Sequence, residues 1–276
     1  MSPIVSVIMA TYNSTTYLAN AVKSILEQSL KELELIIVDD ASTENTKETL
    51  KPFSIDTRLK AIYLEKNGGP SAARNAGIRI SKGDFIAILD SDDIAFPTRL
   101  EAQYNFLKNN PDISICYGNV ITYGDKESPK IKRYPITNEQ FTKMLLKYSP
   151  MCHSTAFIKR EVFNKIGIYD ETLHFAEDLD LWLRAKPYFK FGNCNQILGK
   201  YCVRSNSLIN KNNRECEKVT FDVRKKAIKE GLIKPSLSDI AYNSMHIASH
   251  YMLPQSVRYF LYKKFVFNLL FKYSQL

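Results

Sequence analysis

Residues 85–93 read Phe-Ile-Ala-Ile-Leu-Asp-Ser-Asp-Asp. Five apolar residues in succession leave no polar face, so a strand here must be covered on both sides, as in a parallel sheet layered between helices. Three carboxylates, Asp90, Asp92 and Asp93, follow at its carboxyl end, where ligands of such sheets collect. Their mutual repulsion calls for compensation by a cation or by solvent. Oxygen donors of this kind suit Mg2+ or Mn2+, which also bind phosphate oxygens. The alternative is a solvated loop with an Asp capping the helix that starts near Pro97.

Outward from this stretch the same rhythm repeats. Val5–Ala10 precedes Leu18–Leu26, Leu33–Val38 precedes a polar stretch, Leu59–Leu64 precedes Ser71–Ile80, and Phe85–Leu89 precedes Arg99–Leu107. Short apolar runs alternating with helical patterns predict an α/β fold, a Rossmann-like and mostly parallel sheet flanked by helices. The polar strand ends Thr11-Tyr12-Asn13, Asp39-Asp40-Ala41-Ser42 and Asn67-Gly68-Gly69-Pro70 should then converge with Asp90-Ser91-Asp92-Asp93 on one crevice.

Each strand end has its own chemistry. Asp40 is suited to a nucleobase N–H or to ribose hydroxyls, and equally to capping a helix. Residues 67–77 combine glycines, a Pro placed for a helix start and small residues that permit close packing, a loop able to wrap a ligand. Arg74 within it could meet base or phosphate, or serve structurally. The first strand lacks the Gly-x-Gly-x-x-Gly turn of dinucleotide folds, which disfavours an NAD-dependent enzyme.

Further along, residues 113–134 are strand-like and irregular, Cys152–Ile158 and Arg160–Ile166 read as a strand and a helix, and Glu177–Ala185 reads as a helix. Glu177, Asp178 and Asp180 at its start either complement the helix dipole or supply a general base for an acceptor hydroxyl. His153 reads as a structural polar residue. After about Asn206 the composition turns to Lys, Asn, Ile and aromatic residues, with helices expected over Arg214–Glu230, Leu237–Met252 and Gln255–Tyr273. Two regions follow: an α/β domain over 1–206 and a basic, aromatic-rich helical appendage over 207–276.

Charge is uneven. Residues 1–110 carry 12 basic and 14 acidic side chains, so the net +9 of the 276-residue chain becomes +11 over the remainder. No helix-turn-helix, RNP-like or zinc motif accompanies it, so nucleic acid is not an expected partner. Residues 255–276 mix aromatic and basic side chains and carry no acid. Such a helix docks on an anionic membrane surface, on its own domain or on a second subunit of a homo-oligomer. Five scattered cysteines fit a reducing, cytoplasmic compartment, and no run is long enough for a spanning helix. The expectation is a cytoplasmic protein, soluble or peripheral on the inner membrane face.

Taken in order, VSVIMATYN, LIIVDDAS, NGGPSAARNAGI, FIAILDSDD and FAEDLDLWLR resemble the family-two glycosyltransferases of the GT-A fold over roughly the first two hundred residues. The resemblance implies an inverting enzyme that uses a nucleoside-diphosphate sugar, UDP-linked by preference, with Mn2+ or Mg2+. It implies nucleotide contacts at Thr11, Tyr12, Asp40 and Arg74, donor ribose and metal at Asp90 and Asp92, and the catalytic base at Asp178. Asp39 and Asp93 adjoin these and could share the work. The acceptor would be a hydroxyl of a glycan or lipid-linked molecule in bacterial surface polysaccharide synthesis. A sugar-nucleotide-binding or membrane-surface module without catalysis is the alternative. One departure stands out: where relatives show a tyrosine-arginine pair followed by a histidine, this chain has Cys202 and Arg204, and Arg204 is a candidate for the diphosphate.

Overall fold

The computed structural model describes residues 2–124, 128–204, 212–253 and 257. Its strands are β1 (Val5–Thr11), β2 (Leu33–Asp39), β3 (Leu59–Tyr63), β4 (Phe85–Ile88), β5 (Ile94–Ala95), β6 (Ile113–Gly124), β7 (Lys130–Lys132), β8 (Phe157–Lys159) and β9 (Lys190–Val203). The helices are α1 (Thr15–Leu26), α2 (Thr46–Leu50), α3 (Gly69–Ile80), α4 (Arg99–Asn109), α5 (Asn138–Met144), α6 (Arg160–Ile166), α7 (Glu177–Ala185), α8 (Asn213–Lys229) and α9 (Leu237–Met252).

One sheet runs in the order β3-β2-β1-β4-β8-β6-β9-β5, with β7 beside β6. The run β3-β2-β1-β4 is parallel throughout, and β6 and β9 are parallel to each other. Antiparallel pairing enters at β8, β7 and β5. The sheet is therefore mixed: uniformly parallel where strands alternate with helices, and of both senses beyond.

Side-chain alternation along β1 and β2 separates two cores. Val5, Val7, Met9, Leu35 and Ile37 pack with Leu18, Val22 and Ile25 of α1 on one face. Ile8, Ile36 and Val38 pack on the other with Ala73 and Ile78 of α3 and with Leu179 and Trp182 of α7. Each such aliphatic side chain contributes about 1.5–3 kcal/mol on burial. Helix α3 lies close to the sheet at Gly77, where a Cβ would stand 2.9 Å from Ile8 Cγ2 and 3.3 Å from Val38 Cγ2.

The expected strand over Cys152–Ile158 divides into a 3-10 turn, His153–Thr155, followed by β8. Thr155 Oγ1 donates to the Cys152 carbonyl at 2.8 Å, a local bond that competes with a sheet ladder. The polar stretch after β2 contains α2, capped by Asn45, whose side chain accepts from the Glu48 N–H.

The C-terminal helices are not detached. Val223 and Ala227 of α8 enter the same core as α7, and Asn243 of α9 donates to the Leu146 carbonyl at 2.8 Å. Several apolar side chains of α9, among them Leu237, Met245 and Met252, remain exposed. The boundary expected at residue 206 and nearly all of the helix expected over Gln255–Tyr273 lie outside the described residues. Among the described residues no helix is long and apolar enough to cross a membrane.

Candidate active site

The carboxyl ends of β1, β2 and β4 and the N-terminal ends of α3 and α7 meet through side-chain bonds. Asn13, directly after β1, accepts from the Thr43 N–H at 2.8 Å, and its own N–H donates to Ser42 Oγ at 2.9 Å. These bonds tie the first strand end to the second. Asp40 then reaches the third motif, accepting the Gly68 and Gly69 N–H groups on its two carboxylate oxygens, both at 2.8 Å. The start of α3 is thus bonded by the strand end beside it, as orphan N–H groups at a helix start require.

Arg74, buried on α3, joins the remaining two motifs. Its Nη2 lies 2.8 Å from Asp90 Oδ1 and its Nη1 lies 2.7 Å from Glu177 Oε1. Burial opposes the Arg74 charge, but the two carboxylates outweigh it and raise its pKa. For Asp90 burial acts upward, and Arg74 with neighbouring groups brings the carboxyl below its ordinary value. The same bridge sets Asp178 beside this network. Burial first, and the Glu177 charge second, push the Asp178 carboxyl up to about 7. Its Oδ1 accepts the Leu179 N–H at 2.7 Å.

The three carboxylates after β4 have different fates. Asp93 is buried, its Oδ1 accepting the Cys202 N–H at 2.7 Å, so it fastens the loop to β9. Asp92 pairs with Arg204, Nη2 to Oδ2, at 2.5 Å, while Tyr123 donates its hydroxyl to the Asp92 carbonyl at 2.7 Å. Burial and the Asp90 charge raise the Asp92 pKa, with Arg204 offsetting part of the rise. Asp39 holds its own turn through Ser42.

Among the described residues no group of three or more His, Cys, Asp or Glu side chains could hold a metal ion alone. Mg2+ and its relatives commonly take one or two carboxylates and complete their shell with phosphate and water oxygens. Asp90 and Asp92, two carboxylates whose charges oppose each other, fit that demand. Thr11 is buried with its Oγ1 unpartnered, and Tyr12 beside it is half exposed. His153 is pushed down to about 3 by burial and by Arg74, so it stays neutral. Its Nε2 lies 2.8 Å from the Tyr169 hydroxyl.

Three of the four non-glycine residues with positive φ among those described lie in these turns: Asn13 at 46°, Ala41 at 58° and Ala176 at 57°. Such backbone costs about 1–3 kcal/mol per residue and clusters at functional sites. The sequence signalled Asp40, Arg74, Asp90, Asp92 and Asp178 as site candidates, and the structure brings them into one neighbourhood. It gives Glu177, read beforehand as a helix-dipole partner or a candidate base, the place of partner to Arg74, and adds Tyr17, whose ring lies 5.1 Å from the Arg204 guanidinium.

The site is an α/β sheet with acidic and basic side chains gathered at its strand ends, Asp90 and Asp92 after β4 and Asp178 beside the Arg74–Glu177 pair. Residues 6–167 match the sequence model of glycosyl transferase family 2, and the chain belongs to that family. It is similar to glycosyltransferase MJ1057 of Methanocaldococcus jannaschii, 35% identical over 72% of this chain and 70% of that protein. TuaG of Bacillus subtilis, a putative teichuronic acid biosynthesis glycosyltransferase by name, is 31% identical over 80% of this chain and 88% of its own length. Among solved structures, S. aureus TarS in complex with UDP superposes with a TM-score of 0.67 at 20% identity, over 93% of this chain and 73% of that one. That likeness carries the fold, which is of the GT-A type.

Proposed function

We propose that this glycosyltransferase moves a sugar from a UDP-linked donor to a hydroxyl of a glycan or lipid-linked acceptor, with inversion at the anomeric carbon. The observation that carries this reading is the Arg74 bridge, which ties Asp90 to the helix that bears Asp178. Donor-side and acceptor-side carboxylates are thereby held at a fixed separation, and reacting groups held in place avoid much of the entropic cost of meeting.

In this mechanism Tyr12 and Asp40 line the nucleotide end, and Asp90 and Asp92 would hold Mn2+ or Mg2+. A bound cation supplies electrostatic stabilisation of the leaving diphosphate. Asp178 accepts the acceptor proton while the acceptor oxygen attacks the anomeric carbon, and a carboxyl near pH 7 is matched to that task. A single displacement inverts configuration. The similarity to TuaG supports an acceptor in bacterial surface polysaccharide synthesis.

The excess of basic charge after residue 110 and the exposed apolar side chains of α9 support peripheral attachment to an anionic inner membrane face. Liposome co-sedimentation with and without residues 255–276 tests the attachment: equal binding by the truncated chain sinks the assignment to those residues.

The test of the chemistry is UDP release from a panel of UDP-sugars with candidate acceptors, wild type against Asp178→Asn. Loss of transfer with donor binding retained supports the base assignment. Transfer by Asp178→Asn at the wild-type rate overturns it.

A further inference from the structure

We propose that Arg99 is a positioning residue for the acidic loop, fastening the chain before Asp90 directly and the chain after Asp92 through a buried water that it shares with Asp93. The inference rests on Asp90 and Asp92 as cation ligands. Arg99 opens α4 and is 1% exposed. Its Nε donates to Gln103 Oε1 at 3.1 Å, and its Nη2 donates at 2.8 Å to the carbonyl of Ile88, the last residue of β4. Its remaining nitrogen, Nη1, is buried with no partner among the described residues.

Across the loop Asp93 shows the same half-completed pattern. It is 2% exposed, and its Oδ1 accepts the Cys202 N–H at 2.7 Å. Its Oδ2 is buried and without a partner among the described residues. Asp93 and Arg99 line one cavity, together with Ser154 and the apolar side chains of Leu89, Val120 and Leu198. The centre of a water-sized sphere can range over about 10 Å3 of it, the room one water needs and no more. A buried donor left unmade is expensive, more so on a charged group, and polar atoms converging on such a space are where buried water settles. Burial brings the Arg99 pKa down to about 10, so the guanidinium stays charged at neutral pH, and Asp93 is among the groups that oppose the fall. A water accepts from Nη1 and either donates to Oδ2 or accepts from it, so the bridge does not depend on the protonation of Asp93.

The consequence is geometric. Residues 89–92 hang between two points, the Ile88 carbonyl and the Asp93 carboxyl, that one guanidinium holds. Asp90 and Asp92 are thereby set at one spacing before a cation arrives, and groups that orient ligands govern metal affinity nearly as the ligands do. Lysine carries its donors on a single atom, which cannot span the two points as the planar fork does.

Two measurements on the full-length protein test this. A crystal structure should show solvent density within hydrogen-bond distance of both Arg99 Nη1 and Asp93 Oδ2; no such density, or a direct bond between the two side chains, overturns the bridge. The second measurement is the Mn2+ concentration for half-maximal UDP release, at a temperature where melting curves show each chain folded. Arg99→Lys should need roughly tenfold more Mn2+, the lower end of what loss of an orienting partner costs a metal site, with saturating Mn2+ restoring most of the wild-type kcat. Asp93→Val, which keeps Arg99 but ends the bridge, should shift the same way. A role in stability alone predicts lower melting temperatures with an unchanged Mn2+ requirement, and that result in either folded variant overturns the positioning role. UDP release that EDTA leaves undiminished in wild type overturns the cation reading, and the positioning role with it, whereas the bridge is judged by the density alone.

Discussion

Arg74 and Glu177 meet at 2.7 Å across 103 residues of chain, and the same guanidinium holds Asp90 on its other nitrogen. Removing one partner of a buried charge pair leaves the others uncompensated, at a cost of about 3–5 kcal/mol. Arg74→Ala should accordingly lower stability by that order in chemical denaturation and abolish UDP release. Arg74→Lys, a single point charge in place of a fork, should recover part of the stability and little of the turnover.

For Asp178 the folded carboxyl titrates at about 7, above its ordinary 3.8. In its proposed role of base it must be ionised, so turnover should rise with pH through about 7 and level off above it. Stability has the opposite trend. Between about pH 4 and pH 7 the folded chain holds a proton that the unfolded chain has lost, so this group's contribution falls with rising pH and stays low above 7. Asp178→Asn should therefore melt higher than wild type at pH 8 and close to it at pH 4, while losing transfer at both. A lower melting temperature at pH 8 would count against the burial argument.

At Asp40 two carboxylate oxygens each accept a glycine N–H. Asp40→Asn puts an NH2 against one of those donors, and a buried unsatisfied N–H costs about 1–3 kcal/mol. The expected result is a loss of stability in that range with a rise in donor KM larger than the fall in kcat, read from initial rates at varied UDP-sugar.

Chelation with EDTA should suppress UDP release, and Mn2+ or Mg2+ should restore it. Asp92→Asn should need higher cation for half-maximal rate, whereas Asp93→Asn should leave that requirement near wild type, because its carboxylate is turned to the Cys202 N–H. Equal cation requirements in Asp92→Asn and wild type would remove Asp92 from the ligand set.

Much of the parallel half of the fold was legible from periodicity. The runs before Asp39 and Asp90 are apolar on both faces because both faces are covered, and Glu177–Ala185 and Leu237–Met252 form helices with the expected limits. The pairing of β6 with β9 was not legible, since it joins residues more than seventy apart through backbone bonds indifferent to side-chain type. The site followed the same division. Asp40, Asp90 and Asp178 stood out by type and position at element ends. That Asp93 turns inward, that Glu177 completes the Arg74 bridge and that Arg204 lies on Asp92 are facts of long-range packing, and a carboxylate at a helix start gives no sign of which distant cation it will meet.

The left-handed turns at Asn13, Ala41 and Ala176 bear on selectivity. For a residue with a Cβ the left-handed well is narrow, so each turn has little torsional play and acts as a stop rather than a hinge. A crevice edged by such stops yields little to an ill-fitting guest. A glycine at Ala41 or Ala176, free of the Cβ restriction, would turn the stop at that position into a hinge.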